Sequence, residues 1–174
     1  MEQTYAIELK NITKRFGKIV ANDGINLKVK RGEILSLLGE NGSGKTTLMN
    51  MISGIYFPDE GHILVDGKAV SIRSPKDSFD LGIGMIHQHF KLIDVMTAAE
   101  NIILGLKGNA VLDMKKVHKD IQELVDRYGF DLDPAQKVYT MSVSQKQTVE
   151  IVKMLYRGAN ILILDEPTAV LTPQ

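Results

Sequence analysis

Alternating apolar and polar residues mark two strands near the start of the chain. Residues 5–9 (YAIEL) and 25–29 (INLKV) place their apolar side chains on one face, as half-buried strands do. Turns are predicted at residues 16–17 (FG) and 30–32 (KRG), where the alternation stops. The pattern therefore predicts an antiparallel β layer at the N-terminal end.

The segments that follow switch between strand and helix patterns. The apolar run at residues 34–38 predicts a strand, and residues 47–53 read as a helix directly after it. Residues 63–65 predict a strand that ends in a hairpin turn at residues 66–67 (DG), and residues 83–86 predict a further strand. The fold class predicted is α/β.

A helical periodicity replaces this pattern from residue 96 to about residue 139. Apolar residues recur three, four or seven positions apart with charged residues between them, and Gly129 follows as a stop signal; they are Met114, Val117, Ile121, Leu124, Val125 and Tyr128. This is the pattern of an amphipathic helix inside a helical insertion. Ser142 or Ser144 is expected to cap a second, largely buried helix that runs to about Arg157.

The last apolar run predicts the central strand of a sheet. Residues 161–164 (ILIL) have the continuous apolarity of a parallel strand that is covered on both faces. Ligands of such sheets bind beyond the carboxyl ends of the strands, where Asp165 and Glu166 fall.

Length and composition narrow the function classes. The 174 residues, 44% of them hydrophobic, suit one domain or one domain with a helical insertion. Lys plus Arg and Asp plus Glu number 21 each, so no excess of positive charge indicates a nucleic-acid partner. There is no cysteine, which excludes disulfides and thiolate chemistry. The longest apolar runs are too short to span a bilayer and no leader is apparent, so we expect a soluble chain.

A glycine-rich motif carries the strongest chemical signal. Residues 39–47 (GENGSGKTT) fit G-x-x-x-x-G-K-[ST] between a predicted strand and a predicted helix. Glycines at positions 39, 42 and 44 let successive N–H groups turn inward around a polyphosphate, and the helix adds its positive end. Lys45 is expected to reach the β- and γ-phosphates, and the Thr46 hydroxyl to ligate Mg²⁺. The alternative is an ordinary glycine-rich turn.

Two carboxylates complete the chemistry that phosphoryl transfer to water requires. Asp165 suits the metal shell, and Glu166 is placed to act as the general base on the attacking water. In the alternative interpretation, both carboxylates merely cap a loop.

The order of these motifs resembles the ATP-binding cassette of an ABC transporter. The phosphate loop is followed by Gln88 in IHQHF, by MSVSQ at residues 141–145 and by ILILDEPTA at residues 161–169. The amino-acid sequences of three segments are similar to those of bacterial importers of nucleosides and simple sugars: residues 73–92, 97–105 and 149–174. The resemblance implies a P-loop NTPase core of the ABC type with an N-terminal antiparallel β layer and an α-helical insertion.

The resemblance also assigns site residues. Phe16 matches the aromatic residue that stacks on adenine. Gln88 matches the residue that touches Mg²⁺ and the attacking water, and Ser142 matches the signature serine that contacts the γ-phosphate held by the opposite cassette. Glu166, Gln88 and Lys45 are the implied catalytic residues, and Thr46, Gln88 and Asp165 the implied Mg²⁺ ligands. The implied ATP contacts in the loop are Gly39, Asn41, Gly42, Ser43, Gly44, Lys45, Thr46 and Thr47.

The function that the resemblance implies is ATP hydrolysis coupled to uptake of nucleosides or simple sugars. The cofactors would be ATP and Mg²⁺. The partners would be a second cassette, membrane permease subunits and, indirectly, a solute-binding protein, at the cytoplasmic face of the membrane. Within a partial cassette, residues 1–95 would hold the β layer and phosphate-loop core, 96–142 the helical insertion, and 143–174 the signature helix and the last strand.

Three departures from the family pattern open an alternative. Ser144 stands where the signature has its second glycine, and Thr172 where an aspartate usually ends the loop after Glu166. The switch histidine is not reached before Gln174, so we expect a cassette truncated at its C-terminus. The alternative is a degenerate or truncated nucleotide-binding module that supports dimerisation without turnover.

Overall fold

The computed structural model describes residues 5–87, 90–106 and 113–165. The chain divides into two compact units, residues 1–84 and 85–174, which are described separately. In chain order the elements are β1 (Tyr5–Phe16), β2 (Ile19–Lys30), α1 (Lys45–Ile52), β3 (Glu60–Val65), β4 (Lys68–Val70), α2 (Pro75–Asp80), β5 (Ile83–Ile86), α3 (Ala98–Ile103), α4 (Met114–Tyr128), a 3-10 turn (Val138–Thr140), α5 (Val143–Tyr156) and β6 (Ile161–Leu164).

A four-stranded antiparallel sheet forms the frame of the first unit. Its strand order is β2-β1-β3-β4, and Leu9 of β1 lies opposite both Leu27 of β2 and Ile63 of β3. Leu9 and Ile12 are almost fully buried, so the alternation in the sequence does mark the core face. The predicted β layer is confirmed, with both strands longer than their alternating segments.

The hairpin between β3 and β4 follows from its two turn residues. Asp66 and Gly67 both adopt left-handed backbone conformations, with φ of 50° and 75°. Positive φ at both central residues defines the type I′ turn, whose twist matches that of the flanking strands. The hairpin predicted at this position is confirmed.

The strand predicted at residues 34–38 is wrong. These residues join no strand pairing in the described part of the chain, and Ile34 and Leu38 are 96% and 92% exposed. Apolarity supplies side chains for a strand but not a neighbouring main chain to bond with, and the sheet of this unit is completed without the segment. The helix predicted at residues 47–53 does form, as α1, with Leu48, Met51 and Ile52 buried.

Three helices enclose the core of the second unit. Helix α4 buries Val117, Ile121 and Val125, which are spaced four residues apart on one face, as its periodicity predicts. Gly129 ends the helix in the left-handed conformation, with φ of 68°. Residues of α3 and α5 complete the cluster, chiefly Ala98, Ala99, Ile102, Val149 and Val152. None of the helices described is both long and apolar enough to cross a membrane.

Strand β6 is less covered than its sequence suggests. It pairs with β5 in a two-stranded sheet, and the N–H of Asp165 donates to the carbonyl of Ile86 at 3.1 Å. Ile163 is buried, but Leu164 is 39% exposed. The strand is therefore present as predicted, whereas the expectation that both of its faces are covered is wrong for the described residues, because continuous apolarity does not by itself provide two covering layers.

Candidate functional site

The phosphate-loop motif forms an open turn at the start of α1. Gly42 and Gly44 have φ of 83° and 88°, values that side chains rarely tolerate. Gly44 is the N-cap of α1, makes no side-chain capping bond, and no acidic residue follows in the first turn. The first N–H groups of a helix have no partners within the helix, so this end suits an anion from outside the chain.

Gly44 packs directly against the main chain of β2. A Cβ at this position would lie 2.3 Å from the Ala21 carbonyl oxygen and 2.8 Å from Nδ2 of Asn22. Only glycine combines this approach with the left-handed backbone. The motif glycine is therefore required by contact with the sheet as well as by the turn.

The Lys45 ammonium lies over the loop. Its Nζ donates to the carbonyls of Gly39 and Glu40, both at 2.7 Å, and to Oγ of Ser43 at 3.3 Å. Neutral main-chain carbonyls accept these bonds from the charged ammonium. A phosphate oxygen would be a stronger acceptor in the same place, because it carries a negative charge.

The remaining loop side chains face solvent. Asn41, Gly42 and Ser43 are exposed, and so is Thr46 in the first turn of α1, whereas Thr47 is half-buried. An exposed hydroxyl next to the loop is open to a cation that accompanies the phosphates. The structure thus groups the predicted phosphate ligands on one turn and one helix start.

Phe16 ends β1 in the same unit, beside a second aromatic ring. It is 41% exposed, and Tyr56 meets it edge to face with 5.1 Å between ring centroids. The Lys14 ammonium lies 5.5 Å from the Phe16 centroid and bonds Asp59 at 2.9 Å. The N–H of Arg15 and the Lys14 ammonium hold the pKa of Asp59 below its usual value. A half-exposed, firmly held ring is what stacking on a flat base requires.

Among the residues that the structure describes, two predicted site residues lie in the second unit. Asp165 directly follows β6, as predicted. Ser142 is the N-cap of α5 and forms a capping box with Gln145: the N–H of Gln145 donates to Ser142 Oγ at 3.2 Å, and the N–H of Ser142 donates to Gln145 Oε1 at 3.0 Å. Because Ser142 Oγ accepts in this box, its own proton is available to an acceptor outside the helix.

Ser144 lies inside the first turn of α5. It belongs to the helix and is absent from the described residues with positive φ, so its backbone does not require glycine. Its carbonyl accepts a bond from the Thr148 hydroxyl at 3.2 Å. Whether its Cβ affects a phosphate contact stays a prediction.

Several predicted residues lie outside the described part of the chain. They are Gln88, Glu166 and Thr172. The roles of Gln88 and Glu166 therefore stay predictions. Sequence reasoning also missed Asn22, whose side-chain Nδ2 donates to the Gly44 carbonyl at 3.3 Å. An asparagine within a strand carries no local signal for such a contact, because strand and loop meet only in the tertiary structure.

The chain is similar to ATP-binding proteins of importers. It is 56% identical over 171 residues to the guanosine import ATP-binding protein NupO of Bacillus subtilis, covering 97% of this chain and 34% of that protein. It is 54% identical over 175 residues to the nucleoside import ATP-binding protein NupA of Lactococcus lactis, covering 99% of this chain and 35% of that protein. The chain thus spans about a third of the length of these relatives.

Solved structures agree with this similarity. The cbiO1 protein of Clostridium perfringens, part of the ABC transporter complex cbiONQ, aligns with a TM-score of 0.81 and 30% identity, over 97% of this chain and 68% of its own. The cassette MJ0796, in a dimeric post-hydrolysis state bound to ADP and Pi, aligns with a TM-score of 0.73 and 30% identity, over 95% of this chain and 76% of its own.

The family itself follows from a match over most of the sequence. The ABC transporter family profile matches residues 22–169, a span that begins in β2 and takes in the phosphate loop, the signature segment and the Asp165-Glu166 pair. The chain therefore belongs to the ABC transporter family and has the P-loop NTPase fold of its ATP-binding cassettes.

Proposed function

We propose that this chain is the nucleotide-binding part of an ABC importer ATPase subunit, which couples ATP hydrolysis to uptake of nucleosides. The observation that carries the proposal is the open N-terminus of α1. The N-cap residue there is a glycine, which has no side chain to bond the first N–H groups, and the Lys45 ammonium lies over the loop. A site of this kind favours a polyphosphate over a neutral ligand.

Nucleosides are the transported class that the relatives support best. The two relatives described above are named for guanosine and nucleoside import, at 56% and 54% identity. A ribose import ATP-binding protein of Escherichia coli O157:H7 is 42% identical over 174 residues, so simple sugars are the second class. Selection of the solute would belong to the membrane and solute-binding partners.

A small number of groups would carry out ATP binding and hydrolysis. The loop N–H groups and Lys45 would bind the β- and γ-phosphates, and Phe16 would stack on adenine. Glu166 would take the proton of the water that attacks the γ-phosphorus, as the bond to the ADP oxygen breaks. The roles of the loop and Lys45 draw support from the loop geometry in the first unit, and that of Phe16 from its half-exposed ring. The role of Glu166 rests on the motif alone.

The side-chain chemistry of the three predicted ligands suits Mg²⁺. The Thr46 hydroxyl, the Asp165 carboxylate and the Gln88 side-chain carbonyl are oxygen donors, and Mg²⁺ prefers oxygen ligands while keeping several waters. When bound, the ion would neutralise charge on the phosphate oxygens. Thr46 is exposed in the first turn of α1 and so open to an ion held by the phosphates.

The signature segment supports a second cassette as a partner. The Ser142 hydroxyl is held by its capping box with its proton free to donate, which suits a γ-phosphate presented by a second cassette. Membrane permease subunits, and indirectly a solute-binding protein, would complete the importer at the cytoplasmic face of the membrane. No nucleic acid is proposed as a partner, because positive and negative residues balance at 21 each.

The alternative of a degenerate or truncated binding module draws its support from Ser144, Thr172 and the end of the sequence before a switch histidine. The helical conformation of Ser144 excludes backbone strain as a reason for glycine there, and the effect of its Cβ on a phosphate contact stays a prediction. The two possibilities differ in turnover rather than in ATP binding.

The experiment that tests the proposal is calorimetric titration of Mg-ATP into the folded chain and its Lys45→Ala variant. Loss of a charged phosphate contact is expected to weaken binding at least about 100-fold. Lys68→Ala removes an exposed lysine from β4, away from the loop, and should bind like the parent. A folded parent that binds no ATP, or a Lys45→Ala variant within about threefold of the parent, would contradict the proposal.

A further inference from the structure

Asn22 is a buried polar side chain on the strand that faces the phosphate loop. It lies in β2 opposite Lys14 of β1 and is only 7% exposed. Buried amides are normally bonded through both their nitrogen and their oxygen. In Asn22 the amide nitrogen bonds a loop residue, whereas the amide oxygen has no partner among the described residues.

Its amide nitrogen bonds the last glycine of the loop. Nδ2 donates to the Gly44 carbonyl at 3.3 Å, and the same carbonyl accepts the N–H of Leu48 at 2.9 Å in the first turn of α1. Among the described residues, the other hydrogen bonds of residues 39–44 stay within residues 39–48. Among the described residues, the hydrogen bond from the Asn22 amide is therefore the one that joins this loop to the sheet.

The orientation of the amide is fixed by chemistry. A carbonyl only accepts, so the amide nitrogen must face Gly44, and this turns Oδ1 into a buried position without a partner among the described residues. An unpaired buried acceptor lowers stability, whereas a leucine of similar size would carry no such cost. Asn22 thus supplies the donor to Gly44 although its unpaired oxygen lowers the free energy of unfolding.

The bond from Asn22 adds to the bond from Leu48 in restraining the Gly44 carbonyl, and with it the direction of the next N–H. The described peptide bonds are all trans, and the carbonyl and N–H of a trans peptide point in opposite directions. With the Gly44 carbonyl held toward the sheet, the N–H of Lys45 points to the opposite side. Lys45 is the first residue of α1, so its N–H has no partner within the helix.

We propose that Asn22 is a positioning residue for phosphate binding, which holds the Gly44–Lys45 peptide so that the N–H of Lys45 faces the phosphate. The inference rests on the proposed ATP site and adds to it a residue outside the motif. It does not require Asn22 to touch the nucleotide.

The test compares three variants with two probes. Asn22→Leu keeps the size but removes the donor; Asn22→Asp keeps the size and replaces the donor with an acceptor; Asn26→Leu removes an exposed asparagine on the same strand as a control. Each is titrated with inorganic tripolyphosphate and with adenosine, and the amide signals of residues 39–47 are recorded by NMR without ligand.

The expected result is selective for phosphate. Tripolyphosphate affinity should fall about fivefold in Asn22→Leu and further in Asn22→Asp, with adenosine affinity unchanged and the Lys45 amide signal shifted. Thermal stability of Asn22→Leu should equal or exceed that of the parent, which a merely structural role would not give. The Asn26→Leu control should bind tripolyphosphate like the parent.

Two other outcomes separate the inference from the proposed function. If the parent binds tripolyphosphate and Asn22→Leu binds it within about twofold, the inference is overturned while the ATP site stands. If the parent binds no tripolyphosphate, the proposed function fails for this chain. In that case the NMR spectra decide the inference: an unshifted Lys45 amide signal in Asn22→Leu overturns it, and a shifted one supports the anchoring.

Discussion

Helices α1 and α5 begin in opposite ways, although each carries a predicted ATP contact. Helix α1 starts at a left-handed Gly44 with no side-chain cap. Helix α5 starts at Ser142 inside a capping box, in which serine and Gln145 satisfy each other's N–H groups. The free N–H groups of a helix start need partners, and the two helices find them in different places.

The difference separates two ways of contacting phosphate. At α1 the chain leaves main-chain donors uncapped and adds the positive charge of Lys45, so an anion is the natural partner. At α5 the main-chain donors are already used, and the Ser142 hydroxyl is what the helix start offers. We therefore expect the first helix start to bind an anion by itself, and the second to add one contact to an anion held elsewhere.

The largest effect should come from a change that leaves binding at α1 intact. We expect Glu166→Gln, in a longer protein paired with a second cassette, to lower ATP turnover about 10²–10⁴-fold with ATP affinity preserved, because the amide cannot accept the proton of the attacking water. Steady-state ATPase rates and equilibrium ATP binding measure the two quantities. Turnover within about threefold of the parent would exclude Glu166 as the base.

A methyl group at the α1 start should destroy the binding site there. Gly44→Ala places a Cβ 2.3 Å from the Ala21 carbonyl oxygen at φ of 88°, so we expect ATP affinity to fall at least about 100-fold and thermal stability to drop. Gly17→Ala is the matched control, because its φ is also positive, at 59°, but a Cβ there would meet nothing within 4 Å. Equal ATP affinity of the two variants in a titration would show that the close approach of Gly44 is dispensable.

Removal of the Phe16 ring should weaken binding of the adenine base and leave binding of the phosphates unchanged. We expect Phe16→Ala to bind ATP about tenfold more weakly and tripolyphosphate equally well, since stacking on a base contributes about 1–3 kcal/mol. Tyr139→Ala removes a 65% exposed aromatic ring from the second unit and serves as the control. If ATP affinity is unchanged in Phe16→Ala, the ring only packs against Tyr56 and Lys14.

The smallest effect concerns the α5 start. Ser142→Ala removes the capping hydroxyl and should lower the free energy of unfolding by about 1 kcal/mol, whereas Ser142→Asp keeps a capping oxygen and should restore it. Both variants should fail to pair with a second cassette in the presence of ATP, because alanine lacks the donor and aspartate adds a negative charge. Chemical denaturation and ATP-dependent sedimentation measure these effects. Pairing by Ser142→Asp would rule out a γ-phosphate contact.

The sequence predicted elements best where one local signal was sufficient. The four-residue spacing of Val117, Ile121 and Val125 gave helix α4, and Gly129 gave its end. The prediction from sequence was wrong at residues 34–38. The apolar run there is typical of a strand, but no neighbouring main chain pairs with it in the described residues. Periodicity reports which side chains share a face, and pairing depends on residues distant in the chain.

The candidate site shows the same division. The motif at residues 39–47 identified a phosphate loop, the turn glycines and Lys45, because positive φ and a helix start are local properties of the backbone. The choice of Ser142 over Ser144 as the cap was open in the sequence, and the hydrogen bonds with Gln145 decided it.

The sequence by itself determined the family and the order of the motifs, and it predicted which residue types would face a phosphate. Only the tertiary structure decided that β2 lies against the loop, so that Gly44 has no room for a side chain and the Asn22 amide reaches its carbonyl. Those contacts join residues more than twenty positions apart. Local pattern cannot encode them, because they arise from how the sheet packs against the loop.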